Sequence, residues 1–129
     1  MAHDPRALDE TVLGFLTERH LATLTTVDAD GGLHACAVGF TFDPTTGLAR
    51  IITGRASRKA RNAARGGRAV VAQVDGPRWL SLEGPVRLAT DPAAVAEGER
   101  RYAQRYREPR ANPDRAVVEI AVERVLGQA

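Results

Sequence analysis

The chain has 129 residues, 43% of them hydrophobic and 26% charged, with a formal net charge of +2. This length makes one domain, residues 1–129, able to bury roughly two-thirds of its unfolded surface, and the near-neutral balance excludes the broad positive face of a general nucleic-acid binder. No apolar run approaches the roughly 20 residues that span a bilayer, the first residues lack the basic start and apolar core of a signal peptide, and the single cysteine, Cys36, excludes an internal disulfide; the expected location is the cytoplasm.

In chain order, residues 8–19 carry acids in the first turn and place Val12, Leu13 and Leu16 on one face, the pattern of a short amphipathic helix. Residues 21–27 alternate as a half-buried strand, residues 28–32 form an Asp/Gly turn, and residues 34–43 complete a hairpin with a longer strand. After a Pro/Gly turn at 44–47, residues 48–53 read as a third strand. A basic helix follows over 57–65 and stops at Gly66 and Gly67.

Residues 69–75 and 79–88 form a further antiparallel pair around the Gly76–Pro77 turn, with Gly84 and Pro85 marking a bulge or an edge. Asp91 followed by Pro92 predicts a helix start, an N-cap acid before proline at the first helical position. That helix carries Val95, Tyr102 and Tyr106 on one stripe, where the tyrosines read as packing residues, and it ends before Pro109. Residues 116–126 alternate as a last strand. Six strands joined mainly by tight turns, with three short helices at the joints, predict a mainly β fold, a small antiparallel barrel rather than a parallel α/β sheet.

Charge is segregated along this frame. Between Arg50 and Arg68 there are seven cationic residues and no Asp or Glu, which predicts a local positive groove suited to an anionic small molecule. The sharpest stretch is the strand-to-helix passage at 49–65. Free N–H groups at a helix start, with Ser57, Arg58, Lys59 and Asn62 on the first turns, suit a phosphate; the alternative is a helix whose arginines simply face water.

Other chemistries lack their residues. His3, His20 and His34 are scattered and have no ligand partners at metal spacing, so no metal site is expected. No histidine is placed to activate Ser57 or Ser81, and there is no nucleotide-binding Gly-rich loop with its Lys-Ser/Thr ending. If the chain is an enzyme, a cofactor carries the reaction; no catalytic side chain is identifiable.

Four blocks carry a resemblance: Val38-Gly-Phe-Thr-Phe-Asp-Pro44, Ile51-Ile-Thr-Gly-Arg-Ala-Ser-Arg-Lys-Ala-Arg-Asn62, Gln73-Val-Asp-Gly-Pro-Arg-Trp-Leu-Ser-Leu-Glu-Gly84 and Arg101-Tyr-Ala-Gln-Arg-Tyr-Arg107. In this order, over roughly residues 8–127, they resemble the flavin/deazaflavin oxidoreductases of the pyridoxamine 5′-phosphate oxidase-like superfamily, most of all its coenzyme F420-dependent biliverdin reductases. The resemblance implies a split β-barrel homodimer with two cofactor sites, each built from both chains, and hydride transfer from reduced coenzyme F420 to a conjugated acceptor such as the tetrapyrrole biliverdin. An FMN-dependent oxidase on the same fold, and a flavin- or deazaflavin-binding protein without turnover, are the competing readings.

Carried over by residue, the resemblance puts Thr53, Ser57, Lys59 and Asn62 in the phosphate-binding segment, with Arg55 and Arg58 extending its charge toward the anionic tail of the cofactor. His34, Ala35, Cys36, Ala37 and Val38 correspond to the strand against which the cofactor ring lies. Gln73, Trp79 and Ser81 fall in the block that resembles the partner chain's contribution; Trp79 reads equally as an interface residue, Gln73 as a barrel polar residue and His34 as a solvated hairpin residue. Arg105, Arg107 and Arg110 are either solvated or positioned to hold the propionates of a tetrapyrrole, because a guanidinium pairs with a carboxylate in two-pronged fashion.

Overall fold

In the computed structural model, which describes residues 1–129, the alternating segments become strands of one antiparallel system. The elements in order are β1 (Ala2–His3), α1 (Glu10–Thr17), β2 (Ala22–Val27), β3 (Leu33–Val38), β4 (Thr41–Asp43), β5 (Leu48–Gly54), α2 (Arg58–Ala64), β6 (Arg68–Asp75), β7 (Arg78–Ala89), α3 (Pro92–Arg105), β8 (Arg115–Ala121) and β9 (Arg124–Gln128). The strand order is β3-β2-β6-β7-β8-β5-β4, with β9 on β7 and β1 on β9. The mainly β expectation holds.

The sheet is not closed by hydrogen bonds. Its two end strands, β3 and β4, are consecutive in the chain and meet only through Gly39 and Phe40. Around that gap the sheet wraps a core that includes Phe15, Leu24, Phe40, Ile51, Leu80 and Ile120, each at most 1% exposed. Each such side chain contributes roughly 1.5–3 kcal/mol relative to solvent exposure, so this cluster and not any single polar contact decides the fold.

Strand β7 holds the two halves together. Its residues 79–83 pair with β9 and residues 86–89 pair with β8, so the strand leaves one sheet partner and joins another at Gly84 and Pro85. A Cβ on Gly84 would overlap the Ala121 carbonyl, which is why the corner needs glycine.

Three expectations change. The strand expected over 34–43 breaks at Gly39–Phe40, because the Tyr106 hydroxyl accepts the Phe40 N–H at 3.1 Å and no strand does. The strand expected over 116–126 breaks at Val122–Glu123, whose N–H groups go to the Gly47 and Glu83 carbonyls. The N-terminal Ala2–His3, too short to show a period, pairs with Leu126 and Val125. The count of strands rises from six to nine for these reasons.

The helices cover exposed flanks. In α1, capped by Asp9 accepting the Val12 N–H at 2.9 Å, Val12, Phe15 and Leu16 enter the core. In α3, Gly98 lies against Val117 and Ile52, so residues 116–120 of β8 are buried throughout. No helix is long and apolar enough to cross a membrane.

Candidate functional site

The β5 strand ends at Gly54, and the chain turns through the Ser57 N–H bond to the Gly54 carbonyl before α2 begins. Ser57 caps that helix, its Oγ accepting the Ala60 N–H at 3.2 Å and sharing a hydrogen bond with Thr53 Oγ1 at 2.8 Å. At seven residues, α2 has little macrodipole of its own, so the charge at its start comes from side chains.

Two neighbouring cations there have opposite fates. Arg58 forms a two-pronged pair with Asp28 of the β2–β3 turn, Nε at 3.0 Å and Nη2 at 2.6 Å, and buried Asn62 donates to Asp28 and to Thr26 Oγ1. The Arg58 guanidinium, and then the Asn62 amide, hold the Asp28 carboxyl down to about 2. Lys59, one residue on, is half-buried and forms no ion pair or hydrogen bond. It lines a cleft of about 400 Å³.

Ala37, Val38, Ile51 and Ile52 give this cleft an apolar patch, with Tyr102 beside Gly39, within a lining that is otherwise mainly polar. Arg107 and Arg110 of the loop after α3, also without an ion pair, line the same cleft, as does Glu108 between them in the chain. Arg115 lines the same cleft but is engaged with Glu99 at 2.7 Å and with the Arg110 carbonyl at 2.9 Å. A cleft that combines an apolar patch with cations free of ion pairs suits a flat ring that carries anionic groups. The donor set therefore fits a deazaflavin-type cofactor with a phosphate-bearing tail.

The cleft brings together Ala37, Val38, Thr53, Lys59, Arg107 and Arg110 of the residues expected from sequence. His34 and Cys36 lie half-buried on the same face of β3 as Val38, and His34 Nδ1 is buried without a hydrogen-bond partner; Ala35 faces the other way and is exposed. Arg55 is exposed, its guanidinium 3.4 Å from the Thr90 carbonyl.

Four expectations need correction. Asn62 and Arg58 fasten α2 to the hairpin turn through Asp28. Gln73, 1% exposed, donates from Nε2 to the Phe15 carbonyl at 3.0 Å and accepts at Oε1 from Arg105 at 2.7 Å. Arg105 also donates to the carbonyls of Glu18 at 2.9 Å and Phe40 at 2.6 Å, and lies over the Phe40 ring. Burial pushes its guanidinium below the ordinary value. Arg105 is thus an internal strut, turned away from the cleft, with no charge free for a propionate.

Trp79 and Ser81 stand elsewhere, on the outward face of β7. The register places Thr25, Val70 and Glu83 in one row of that face and Thr23, Ala72 and Ser81 in the next. Leu33, Val74 and Trp79 are 74%, 68% and 40% exposed, large apolar side chains on a face that also carries Thr23, Thr25, Ser81 and Glu83.

Sequence reasoning missed Tyr102 and Gly39 as cleft residues. The available signal was a lone glycine within a strand pattern, which marks close approach by another group. Here that group is the tyrosine pair, since a Cβ on Gly39 would sit 3.1 Å from Tyr102 Cε2 and 3.0 Å from Tyr106 Cε2.

Comparisons with known proteins agree with this geometry. The chain is 57% identical over 129 residues, all of this chain and 94% of the other, to the F420H(2)-dependent biliverdin reductase of Mycobacterium tuberculosis (strain CDC 1551 / Oshkosh). Its fold is similar to that of a conserved hypothetical protein of Mycobacterium tuberculosis, with TM-score 0.78 and 23% identity over 95% of this chain and 85% of that one. It is similar also to an F420 reductase, with TM-score 0.73 and 21% identity over 92% and 98% of the two chains. The pyridoxamine 5′-phosphate oxidase family model matches residues 8–129. The chain belongs to the pyridoxamine 5′-phosphate oxidase family.

Proposed function

We propose that this chain is a coenzyme F420-dependent reductase that reduces a conjugated tetrapyrrole, biliverdin to bilirubin, in the cytoplasm. The observation that carries the reading is that Lys59, Arg107 and Arg110, none of them in an ion pair, line one cleft with the apolar Ala37, Val38, Ile51 and Ile52. The whole-length relative named as an F420H(2)-dependent biliverdin reductase supports it.

When bound, coenzyme F420 supplies hydride. The chain supplies position and charge. Lys59 neutralises the cofactor's anionic tail, and Ala37, Val38 and Ile52 exclude water from one side of its ring. Arg107 and Arg110 receive acceptor carboxylates.

A cleft of about 400 Å³ holds one ring system and not a cofactor together with a tetrapyrrole. A second copy completes the site. The outward sheet face that exposes Leu33, Val74 and Trp79 among polar residues is the surface for it, so the working unit is a homodimer whose partner contributes Trp79 and Ser81.

Titrating the purified protein with oxidised coenzyme F420 and with FMN, followed by fluorescence, tests the reading. Tight F420 binding with biliverdin consumed on reduction is expected. Preference for FMN would overturn it in favour of an FMN oxidase, and F420 binding without turnover would leave a carrier protein.

A further inference from the structure

Tyr102 and Tyr106 lie one helical turn apart with their rings 4.9 Å apart and tilted by 31°, yet their hydroxyls differ in every respect. The Tyr106 hydroxyl accepts the Phe40 N–H at 3.1 Å and lies 2.6 Å from the His20 carbonyl and 3.2 Å from the Phe40 carbonyl. The Tyr102 hydroxyl makes no hydrogen bond within the chain and is not enclosed, although its residue lines the cleft. Tyr106 fixes the ring; Gly39 clears a place for it. The result is an oriented donor with nothing to donate to.

The rest of the cleft sharpens the assignment. Thr53 already shares its hydroxyl with Ser57. Arginine does not release a proton near neutrality, which removes Arg107, Arg110 and Arg115 as acids. Lys59 is engaged by the cofactor tail on the reading above. The charged groups that share the cleft with Tyr102 are Lys59 of α2, Arg107, Glu108 and Arg110 of the loop and Arg115 of β8, whereas Arg105 of its own helix is turned to Gln73 and the Phe40 carbonyl.

We propose that Tyr102 is the proton donor of the reduction, an inference that rests on the proposed reductase activity. Hydride leaves the reduced deazaflavin, which is oxidised by two electrons, and forms a C–H bond at the acceptor's conjugated carbon. The electron pair displaced from that carbon moves to a ring nitrogen of the acceptor, and the Tyr102 O–H bond breaks to form the N–H bond. Water then returns a proton to the phenolate.

The test is single-turnover reduction of biliverdin by Tyr102→Phe, alongside fluorescence titration of F420 and absorbance titration of biliverdin against the oxidised complex. Phenylalanine keeps the stack on Tyr106 and removes only the hydroxyl. Both affinities are expected to stay within about threefold, while the reduction rate falls by about 10²-fold or more, in the range of general-acid contributions. Because solvent must then supply the proton, the variant's rate should fall more steeply than the parent's as pH rises, a change that a packing role would not produce. A parental rate and pH profile in Tyr102→Phe, or a rate loss matched by lost biliverdin affinity, would overturn the assignment alone. A parent chain that binds F420 and does not reduce biliverdin would overturn both this assignment and the proposed activity.

Discussion

At the scale of single residues, function separates neighbours that the sequence presents as equals. Arg58 and Lys59 are adjacent cations; what distinguishes them is Asp28, thirty positions away, which takes Arg58 and leaves Lys59 to the cleft. Lys59→Ala should therefore weaken F420 binding by about ten- to a hundredfold, since a charge-assisted hydrogen bond contributes roughly 1.5–3 kcal/mol. Unchanged affinity by fluorescence titration, with an unchanged circular dichroism spectrum, would remove Lys59 from the site. Arg105 is the converse case. Its replacement by Leu strands the buried Gln73 Oε1 and takes one donor from the Phe40 carbonyl and should cost about 2 kcal/mol in urea unfolding, without altering the salt dependence of turnover. That dependence belongs to Arg107 and Arg110. Their joint change to Gln should lower kcat/KM for biliverdin at low ionic strength and flatten its decline with added salt; a parental salt profile would end the propionate assignment. The six expected residues that meet in the cleft, Ala37 and Val38 of β3, Thr53 and Lys59 of the strand-to-helix segment and Arg107 and Arg110 of the loop, were legible because charge and strand position are local properties. The fates of Arg105, Gln73 and Asn62 were not, because each is decided by a carbonyl or carboxylate contributed from a distant segment.

Among the elements, the alternation that revealed the strands also concealed their ends. At Gly39–Phe40 and Val122–Glu123 the apolar rhythm continues while the hydrogen-bond partners change, and a period of two carries no record of which neighbour accepts each N–H. The breaks matter to the site: the first opens the gap into which Tyr102 packs, and the corner at Gly84 lets one strand serve both halves. Helix α2 is held to the β2–β3 turn by Asp28 through Arg58 and Asn62. The Asp28 carboxyl, lowered from 3.8 to about 2 in the folded chain, favours folding above its unfolded value and ceases to do so as pH falls through the folded one. Stability should therefore drop between about pH 4 and pH 2, and Asp28→Asn should make that decline shallower in urea titrations at stepped pH. Equal slopes in the two proteins would show that other carboxylates, such as Glu18 with its Arg78 partner, govern acid unfolding.

For the molecule as a whole, the two candidate regions lie on different surfaces. Lys59 and the slot open at the gap between β3 and β5, whereas Trp79 and Ser81 stand on the outward sheet face. One chain does not bring them together, so a site that uses both needs a second copy, and a two-fold arrangement would give two equivalent sites from the same face. Ala72, between Thr23 and Ser81 in the middle of that face, offers a direct lever: Ala72→Glu places two like charges across the proposed axis, and should yield a folded monomer by sedimentation that binds F420 at least tenfold more weakly. Complementation then asks which chain supplies what. In a mixture of Lys59→Ala and Trp79→Ala chains, about half the dimers combine one of each, and each such dimer carries one site with both native residues. Roughly a quarter of the sites should then bind F420 at full strength if Lys59 and Trp79 act across the interface. If each site draws both residues from one chain, every site in the mixture lacks one of them, and no tight fraction appears however completely the subunits exchange.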